Sequence, residues 1–500
     1  MLYGNIKLLI PSAMAIQRYK VLHDYVRANE CVLDEYSDVV LDLIEGELPT
    51  DLAGVLYRNG NGRFAHQGVW YDHLFDGDGM ISRFAFDGKQ VRYRNRYVRT
   101  SEFLEEEKAG RMLYRSFGTN LPGGIIRNAF RMRFKNAANT SVVWHGGHMM
   151  ALWEGGLPHR IDPVTLETID RYDYNGVLRN QFSWLDSRIM PELPFSAHPK
   201  IHPDTGVLHN FGTLAGTKQR LIMYEVNPDG KARIGQVIEM DDMTFSHDFV
   251  LTQSGHRILF LTPVAFDMPR ALLGLTSPAA SIKVDRAKPT LVLVIDPDGT
   301  IHRLSTDFCF VFHFVNAYQD TDGKLIVDGL MLDYFPESAL MKAYLQGDVA
   351  DDGAGARFTR YTIDPEAKQV THAPLADYEG ELPEIHPDLL GKVYRYAWGI
   401  GRPITHNRPL ADQIVKIDVQ TGQGTHTGNE HSLPSEPIVV PRPGSTVEDD
   451  AWLLYLLFDD RTQATDLVVA DAASLATVAR LRLPHNIPLG FHGMWLPDAG

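Results

Sequence analysis

The sequence predicts an all-β chain arranged as a seven-bladed β-propeller. Two observations lead there. Helical periodicity is scarce, while short apolar and β-branched runs bounded by Gly, Pro, Asp and Asn recur along the chain. A strand ending in Asp or Asn, a turn and a returning strand also recur at regular intervals.

The first unit is RFAFDGKQVRYR, turning at Asp87, and the second is HRIDPVTLETID at Asp162. YEVNPDGKARI turns at Asn227 and VLVIDPDGTIHRL at Asp296. RYTIDPEAKQVTH at Asp364, VKIDVQTGQGTHT at Asp418 and LVVADAASLATVARL at Asp471 complete the series. Successive turns are 75, 65, 69, 68, 54 and 53 residues apart, enough for a four-stranded blade plus an inserted loop. Such turns are common in any β protein; their even spacing over nearly the whole chain is what indicates radial repetition, which protects sheet edges.

Two segments interrupt the β pattern. Residues 124–135, GIIRNAFRMRFK, place Ile125, Ile126, Ala129 and Phe130 on one helical stripe with Arg127, Arg131, Arg133 and Lys135 interleaved. This predicts a short basic amphipathic helix. Residues 264–278, VAFDMPRALLGLTSP, form a second apolar loop. Each reads equally as packing against the propeller or as a surface for peripheral membrane contact. Residues 1–36 read as an N-terminal extension or helical segment, and 37–500 as a single propeller domain with inserted loops. Within the extension, LLIPSAMA mimics a signal peptide, but Pro11 interrupts its short apolar run; Met14 is an alternative start.

Composition narrows the function. With 500 residues, 44% hydrophobic and 22% charged, the chain can bury a large core. Its 48 basic against 63 acidic residues, a net charge of −15, disfavour nucleic acid as a partner. Two cysteines, Cys31 and Cys309, with no CxxC pair, indicate a reducing, cytoplasmic compartment and exclude a thiolate zinc site. Any metal must therefore be held by His or carboxylate.

Of the 20 histidines, four stand in β-type, apolar or aromatic contexts: His198 in PFSAHPK, His247 in TFSHDFV, His313 in FVFHFVNAY and His492 in LGFHGMW. Any one of them alone reads as a hydrogen-bonded core residue. Their wide separation does not suit a local zinc finger; it suits blades that each aim one imidazole at a common axis. Acidic residues in apolar company accompany them: Glu154 in ALWEGG, Glu381 in GELPEIHP and Glu436 in PSEPIVVPRP. Four neutral imidazoles suit Fe, Zn, Cu or Ni, and carboxylates that accept the other ring N–H would fix the tautomers and offset the metal charge.

Other clusters carry less. His145 and His148 in WHGGHMM flank a Gly pair that reads as a hairpin turn, and FDGDGM at 75–80 lacks the remaining positions of a calcium loop. RNGNG at 58–62 has no following helix signal, and no GxSxG elbow is present.

From about residue 40 to His492 the chain resembles the carotenoid cleavage oxygenase family. The likeness is carried, in order, by EGELPTDLAGVLYRNGNG, FDGDGM, RYVRT, EEKAG, NAANT, ALWEGG, PHRIDP, SAHP, SHDF, FHFVNA, EPIVVPRPG, EDDAWLL and HGMW. The resemblance implies a helical and loop dome over a central metal site. It implies Fe(II) held by His198, His247, His313 and His492, with Glu154, Glu381 and Glu436 orienting three of the rings. Thr140 in NAANT matches a threonine that limits one open coordination position. Trp153, Phe245 and Phe312 adjoin the matched residues and are candidate substrate-binding walls, or plain core aromatics. Sorted by the turns, the four histidines and three glutamates fall one per unit, which is consistent with the resemblance.

The activity implied is oxidative cleavage of a conjugated C=C bond, with dioxygen as co-substrate, to two carbonyl products. A branch of the family that cleaves stilbenes and phenylpropenoids carries a lysine just before the first glutamate; here that position is Trp153, which favours a hydrophobic carotenoid or apocarotenoid polyene. The segments 124–135 and 264–278 match the family's membrane-dipping patch. Stilbene cleavage is the enzymatic alternative, and a propeller interaction platform with a structural metal is the non-enzymatic one.

Overall fold

A computed structural model describes residues 16–18, 20–28, 30–66, 68–215, 218–350, 355–405, 411–488 and 490–497. The chain is a seven-bladed β-propeller. Blade 1 is built from Gly490–Pro497, Ala53–Arg63, Asp78–Asp87 and Val91–Tyr97, counted from the axis outward, with Val39–Val40 at its rim. Blade 2 runs Ser141–His145, His148–Leu152, His159–Ile161 and Thr168–Arg171; blade 3 runs Lys200–Ile201, Leu208–Ala215, Gln219–Val226 and Ala232–Met240. In blade 4 the inner strand is in two pieces, Thr244–Phe245 and Val250–Leu251, both paired with Arg257–Phe266, followed by Thr290–Ile295 and Ile301–Thr306.

Blades 5 and 6 share the long strand Gln369–Glu384, whose first half is the outer strand of blade 5 and whose second half is the inner strand of blade 6. Blade 5 otherwise comprises Phe310–Gln319, Leu325–Leu332 and Arg357–Asp364, and blade 6 Tyr396–Pro403, Gln413–Asp418 and Gln423–Gly428. The inner strand of blade 7 is again split, into Ser432–Pro434 and Ile438–Pro441, and is followed by Ala451–Asp459, Ala464–Asp471 and Thr477–Arg482. Asp42–Gly46 pairs with this last strand, while Gly490–Pro497 pairs with Ala53–Arg63. Two strands distant in sequence thus close the ring.

Each turn found in the sequence joins the third strand of a blade to the fourth. The reason is local: the Asp87 carboxylate accepts from the Lys89 and Gln90 N–H groups, Asp162 from Val164 and Thr165, and Asp418 from Gln420 and Thr421. At 227 and 296 the same task falls to Asp229 and Asp298, two residues on. Apolar residues fill the gap between every pair of neighbouring blades. Val55 and Ile81 meet Val142 and Met149 between blades 1 and 2, and the series runs round to Leu56 and Phe84 against Leu454 and Leu467 between blades 1 and 7.

Longer connections form the dome. They include the helices Ser101–Ala109, Gly124–Asn128, Met268–Leu272 and Ser338–Leu345. Thr100 caps the first by accepting from the Phe103 N–H, and Gly110 ends it at φ 59°. The helix expected over 124–135 is a single turn. Phe130 has φ +58°, Arg131 to Arg133 carry no regular structure, and Lys135 is buried in ion pairs with Asp78 and Glu106. This stretch is joined to the 264–278 segment by Phe130 N donating to Leu272 O (2.7 Å), and the chain just before it by Asn120 Nδ2 donating to Gly274 O (3.2 Å).

The amphipathic helix Lys20–Ala28 packs Val21, Leu22, Tyr25 and Val26 against Phe458 of blade 7. The LLIPSAMA run and Met14 lie outside the described residues. Among the described residues no helix is long and apolar enough to cross a membrane.

Candidate metal centre

At the axis the inner strands are irregular, and the irregularities carry the polar residues. His247 lies in the break between the two halves of blade 4's inner strand, and Glu436 in the break of blade 7's. His313 sits where the blade 5 pairing shifts register, between Val311 and Phe314, and His492 where the blade 1 pairing shifts, between Gly490 and Gly493. Glu381 occupies the register shift of blade 6, beside Leu382 at φ +53°. His198 precedes the short inner strand of blade 3, and Glu154 rides on the loop after the second strand of blade 2. A regular strand would alternate its side chains across the blade faces; the breaks and bulges re-aim these residues down the axis. Each of the seven comes from a different blade.

The four imidazoles converge. Ligand nitrogens of His198, His247, His313 and His492 all lie within 4.8 Å of one another. His198 Nε2 is 2.9 Å from His247 Nε2, and ring centroids are separated by 4.5–5.2 Å for His198–His247, His198–His313, His198–His492, His247–His313 and His313–His492. Three rings give Nδ1 to a carboxylate: His247 to Glu154 at 2.7 Å, His313 to Glu381 at 2.5 Å and His492 to Glu436 at 2.7 Å. With the proton on Nδ1, each of these rings turns a bare Nε2 lone pair to the axis.

Burial and the neighbouring imidazoles hold His198 well below its ordinary pKa, and burial lowers His492 in the same sense, whereas at His313 the Glu381 carboxylate outweighs burial and raises it. His313 Nε2 is buried and has no hydrogen-bond partner. An unpartnered polar nitrogen is costly in a dry interior, and a cation bound at the convergence of the four rings would relieve it. The donor set is all imidazole nitrogen, which fits a divalent transition metal rather than Ca²⁺ or Mg²⁺.

The carboxylates are themselves held. Burial alone would raise the Glu436 pKa, but His492, Arg58 and the Gly493 N–H outweigh it and keep the group below the usual carboxylate range. Arg58 Nη1 donates to Glu436 Oε2 at 2.9 Å and to its backbone carbonyl at 3.0 Å, and Gly493 N donates to Oε2 at 2.8 Å. Glu381 Oε2 also accepts from the Leu382 N–H at 3.2 Å.

Around the centre the wall is aromatic. Phe312 stands edge-on to His247, with ring centroids 4.7 Å apart. Phe310 packs on Phe312, and Phe245 is a further ring out, against Phe310 and Phe335. Trp153, next to Glu154, curls over Gly155 and Gly156, where added Cβ atoms would meet its ring at 2.9 and 3.1 Å. Thr140 immediately precedes the inner strand of blade 2, and its carbonyl accepts from the His492 N–H at 3.1 Å. Two rings were not singled out in the sequence: Phe75 of the FDGDGM segment and Phe491. Phe75 packs against Phe312 and Phe491 at 5.9 and 5.6 Å. Position beside a matched ligand could have flagged Phe491, and Phe75 opens the FDGDGM motif.

The lesser clusters are structural. His145 and His148 pair across a two-residue turn in which Gly146 and Gly147 have φ 58° and 76°. In FDGDGM, Asp76 accepts from Gly118 N and Thr119 Oγ1, with burial pushing its carboxyl up to about 7, and Asp78 pairs with Lys135 and Arg63. Cys31 and Cys309 are not joined in a disulfide.

The profile of the Retinal pigment epithelial membrane protein family matches residues 29–497. The chain is similar to the apocarotenoid-15,15'-oxygenase of Synechocystis, with 34% identity covering 97% of this chain and 98% of that one. It is also similar to resveratrol cleavage oxygenase 1 of Aspergillus fumigatus, with 28% identity over 91% of each. The crystal structure of a cobalt-substituted Synechocystis apocarotenoid oxygenase superposes with a TM-score of 0.87 at 33% identity, covering 96% of this chain and all of that one.

Proposed function

The chain belongs to the retinal pigment epithelial membrane protein family, the carotenoid cleavage oxygenases, and from that premise we propose that it is an iron(II) dioxygenase cleaving a conjugated double bond of an apocarotenoid. The observation that carries the reading is the set of three carboxylate-oriented imidazoles and a fourth, His198, converging on one buried point. His198, His247, His313 and His492 would hold the iron. Iron(II) held by these four neutral ligands would supply the capacity to activate dioxygen.

The protein's own residues do the rest. Glu154, Glu381 and Glu436 keep the proton on Nδ1 and place negative charge around an otherwise uncompensated cation. Phe312, Phe245 and Trp153 offer apolar faces that orient a polyene and exclude water from the reacting bond. Thr140, beside His492, narrows the approach to the metal. Trp153 precedes Glu154 and cannot pair with a phenolate, which supports a polyene over a hydroxystilbene.

The test is aerobic turnover of iron(II)-loaded protein with an apocarotenoid and, separately, a hydroxystilbene, with products identified by mass. Two carbonyl fragments from the polyene are expected. Cleavage of the stilbene alone would transfer the substrate assignment to that branch, and the absence of iron-dependent cleavage of either would overturn the iron(II) dioxygenase reading.

An insoluble polyene must be collected from lipid. Ile126 is 97% and Phe130 71% exposed, and Leu273 and Leu275 on the adjoining segment are exposed as well. We assign this surface to peripheral membrane contact, with the protein otherwise in a reducing compartment. Ile126→Ser with Phe130→Ser is expected to release the protein from neutral phosphatidylcholine vesicles in cosedimentation, leaving turnover of detergent-dispersed substrate intact. Unchanged sedimentation would refute the assignment.

A further inference from the structure

The carboxamide of Asn139 is fully buried and connects two parts of the site that the chain brings together from different places. Its Nδ2 donates to Gly77 O at 2.8 Å, to Phe75 O at 3.0 Å and to Asn61 Oδ1 at 3.1 Å. Its Oδ1 accepts from Thr140 Oγ1 at 3.2 Å. Asn61, on blade 1, in turn donates from Nδ2 to Leu74 O at 3.0 Å. The loop bearing Phe75 is therefore held from one side by an amide pair, and from the other by His73, whose Nδ1 accepts from the Phe75 N–H at 3.2 Å. There is no room for slack: a Cβ on Gly77 would stand 2.3 Å from Asn61 Oδ1, and one on Gly79 2.4 Å from Ala138 O.

Phe75 is one ring removed from two of the histidines. It packs on Phe312, which packs on His247, and on Phe491, which precedes His492. Thr140 lies against His492 through its backbone carbonyl, and the bond from its hydroxyl to Asn139 selects its rotamer.

We propose that Asn139 is a positioning residue for the cleavage reaction: one carboxamide sets both the Phe75 ring on the substrate side and the Thr140 rotamer on the metal side, and so fixes their separation. This rests on the reading of the site as a metal-dependent polyene oxygenase. The two halves of the amide divide the work. The NH₂ group serves Phe75, and the carbonyl oxygen serves Thr140. An aspartate would keep an acceptor for Thr140 while presenting oxygen to the carbonyls of Phe75 and Gly77.

The experiment compares Asn139→Ala and Asn139→Asp in full-length protein loaded with iron(II) for kinetics and with cobalt(II) for visible spectroscopy. Both variants are expected to keep wild-type metal stoichiometry, since none of the His–Glu pairs involves Asn139. Asn139→Ala is expected to lower kcat/KM on the order of 10–100-fold, the scale of a misplaced positioning contact, and to shift the cobalt bands of the resting protein. Asn139→Asp is expected to lower kcat/KM comparably with the bands unmoved.

In a Phe75→Ala background the further cost of Asn139→Asp is expected to fall below about threefold, because the two residues act through one contact. Fully additive losses, or cobalt bands identical in Asn139→Ala and wild type, would overturn the proposal. Should Asn139→Ala fail to fold, Asn139→Ser carries the same comparison under the same criteria. Absence of polyene turnover by the wild-type protein would instead strike the function above, and the cobalt comparison reads Asn139 independently of it.

Discussion

Replacing His313 with alanine is expected to strip the protein of iron and abolish oxidative cleavage. His313 is the histidine whose inward nitrogen is buried without any protein partner, so its interaction with the axis has no substitute within the fold. Its removal takes one of four converging donors and leaves Glu381 facing a void. Glu381→Gln is the graded companion. It keeps the shape and an oxygen that can accept from Nδ1, but withdraws the negative charge, and it is expected to weaken iron retention by about 10–100-fold. His313→Ala is expected to exceed that range. Iron per chain by elemental analysis after dialysis against a chelator, together with product yield, checks both. Wild-type iron content in either variant would remove the residue from the centre.

The second large effect lies under the dome. Lys135 is buried, with Nζ 2.6 Å from Asp78 Oδ1, 2.7 Å from Glu106 Oε2 and 3.0 Å from the Tyr71 hydroxyl. Asp78 is also bound by Arg63 Nε at 2.6 Å, and Glu106 Oε1 accepts from the Leu113 and Tyr114 N–H groups. The cluster ties the helix Ser101–Ala109 and the segment ending at Lys135 to the blade 1 strand Asp78–Asp87. Lys135→Met would leave two buried carboxylates short of a cation, at a cost of about 3–5 kcal/mol in urea denaturation. The penalty belongs to the stranded charge and not to the lost pair as such, so adding Glu106→Gln is expected to recover part of it. A loss below about 1 kcal/mol in the single variant would show that the charges are relieved by water.

These two clusters differ in how far they could be read in advance. The repeat was legible because an aspartate at the end of a third strand must hold the next turn, a local requirement that leaves a mark at Asp87, Asp162 and Asp418 in the same sequence position of each blade. The histidines and glutamates were legible as types in apolar company, and the resemblance supplied their order. What put them on the axis was not legible: strand breaks at His247 and Glu436 and register shifts at His313 and His492 arise from pairing with distant strands.

The 124–135 segment shows the opposite failure. Its helical stripe is real in the sequence, yet Lys135 is drawn inward by Asp78 and Glu106, and the backbone turns left-handed at Phe130 to allow it. Tertiary charge pairing overrode a local pattern. Phe75 and Asn139 stand in the FDGDGM and NAANT motifs, but their contacts with Phe312, Phe491 and Asn61 were not legible, because those partners lie far away in the chain.

His492 has a role in time as well as in space. It lies on Gly490–Pro497, the strand that latches the propeller by pairing with Ala53–Arg63. During synthesis the first three histidines leave the ribosome well before the latch exists, so a captured ion would meet an incomplete cage until the final strand docks. The cage of all four histidines would therefore be complete only once that strand has docked, and an ion held in it would act as a rivet through the seam. Its binding free energy would oppose separation of Gly490–Pro497 from Ala53–Arg63, one of the pairings through which strands distant in sequence close the ring.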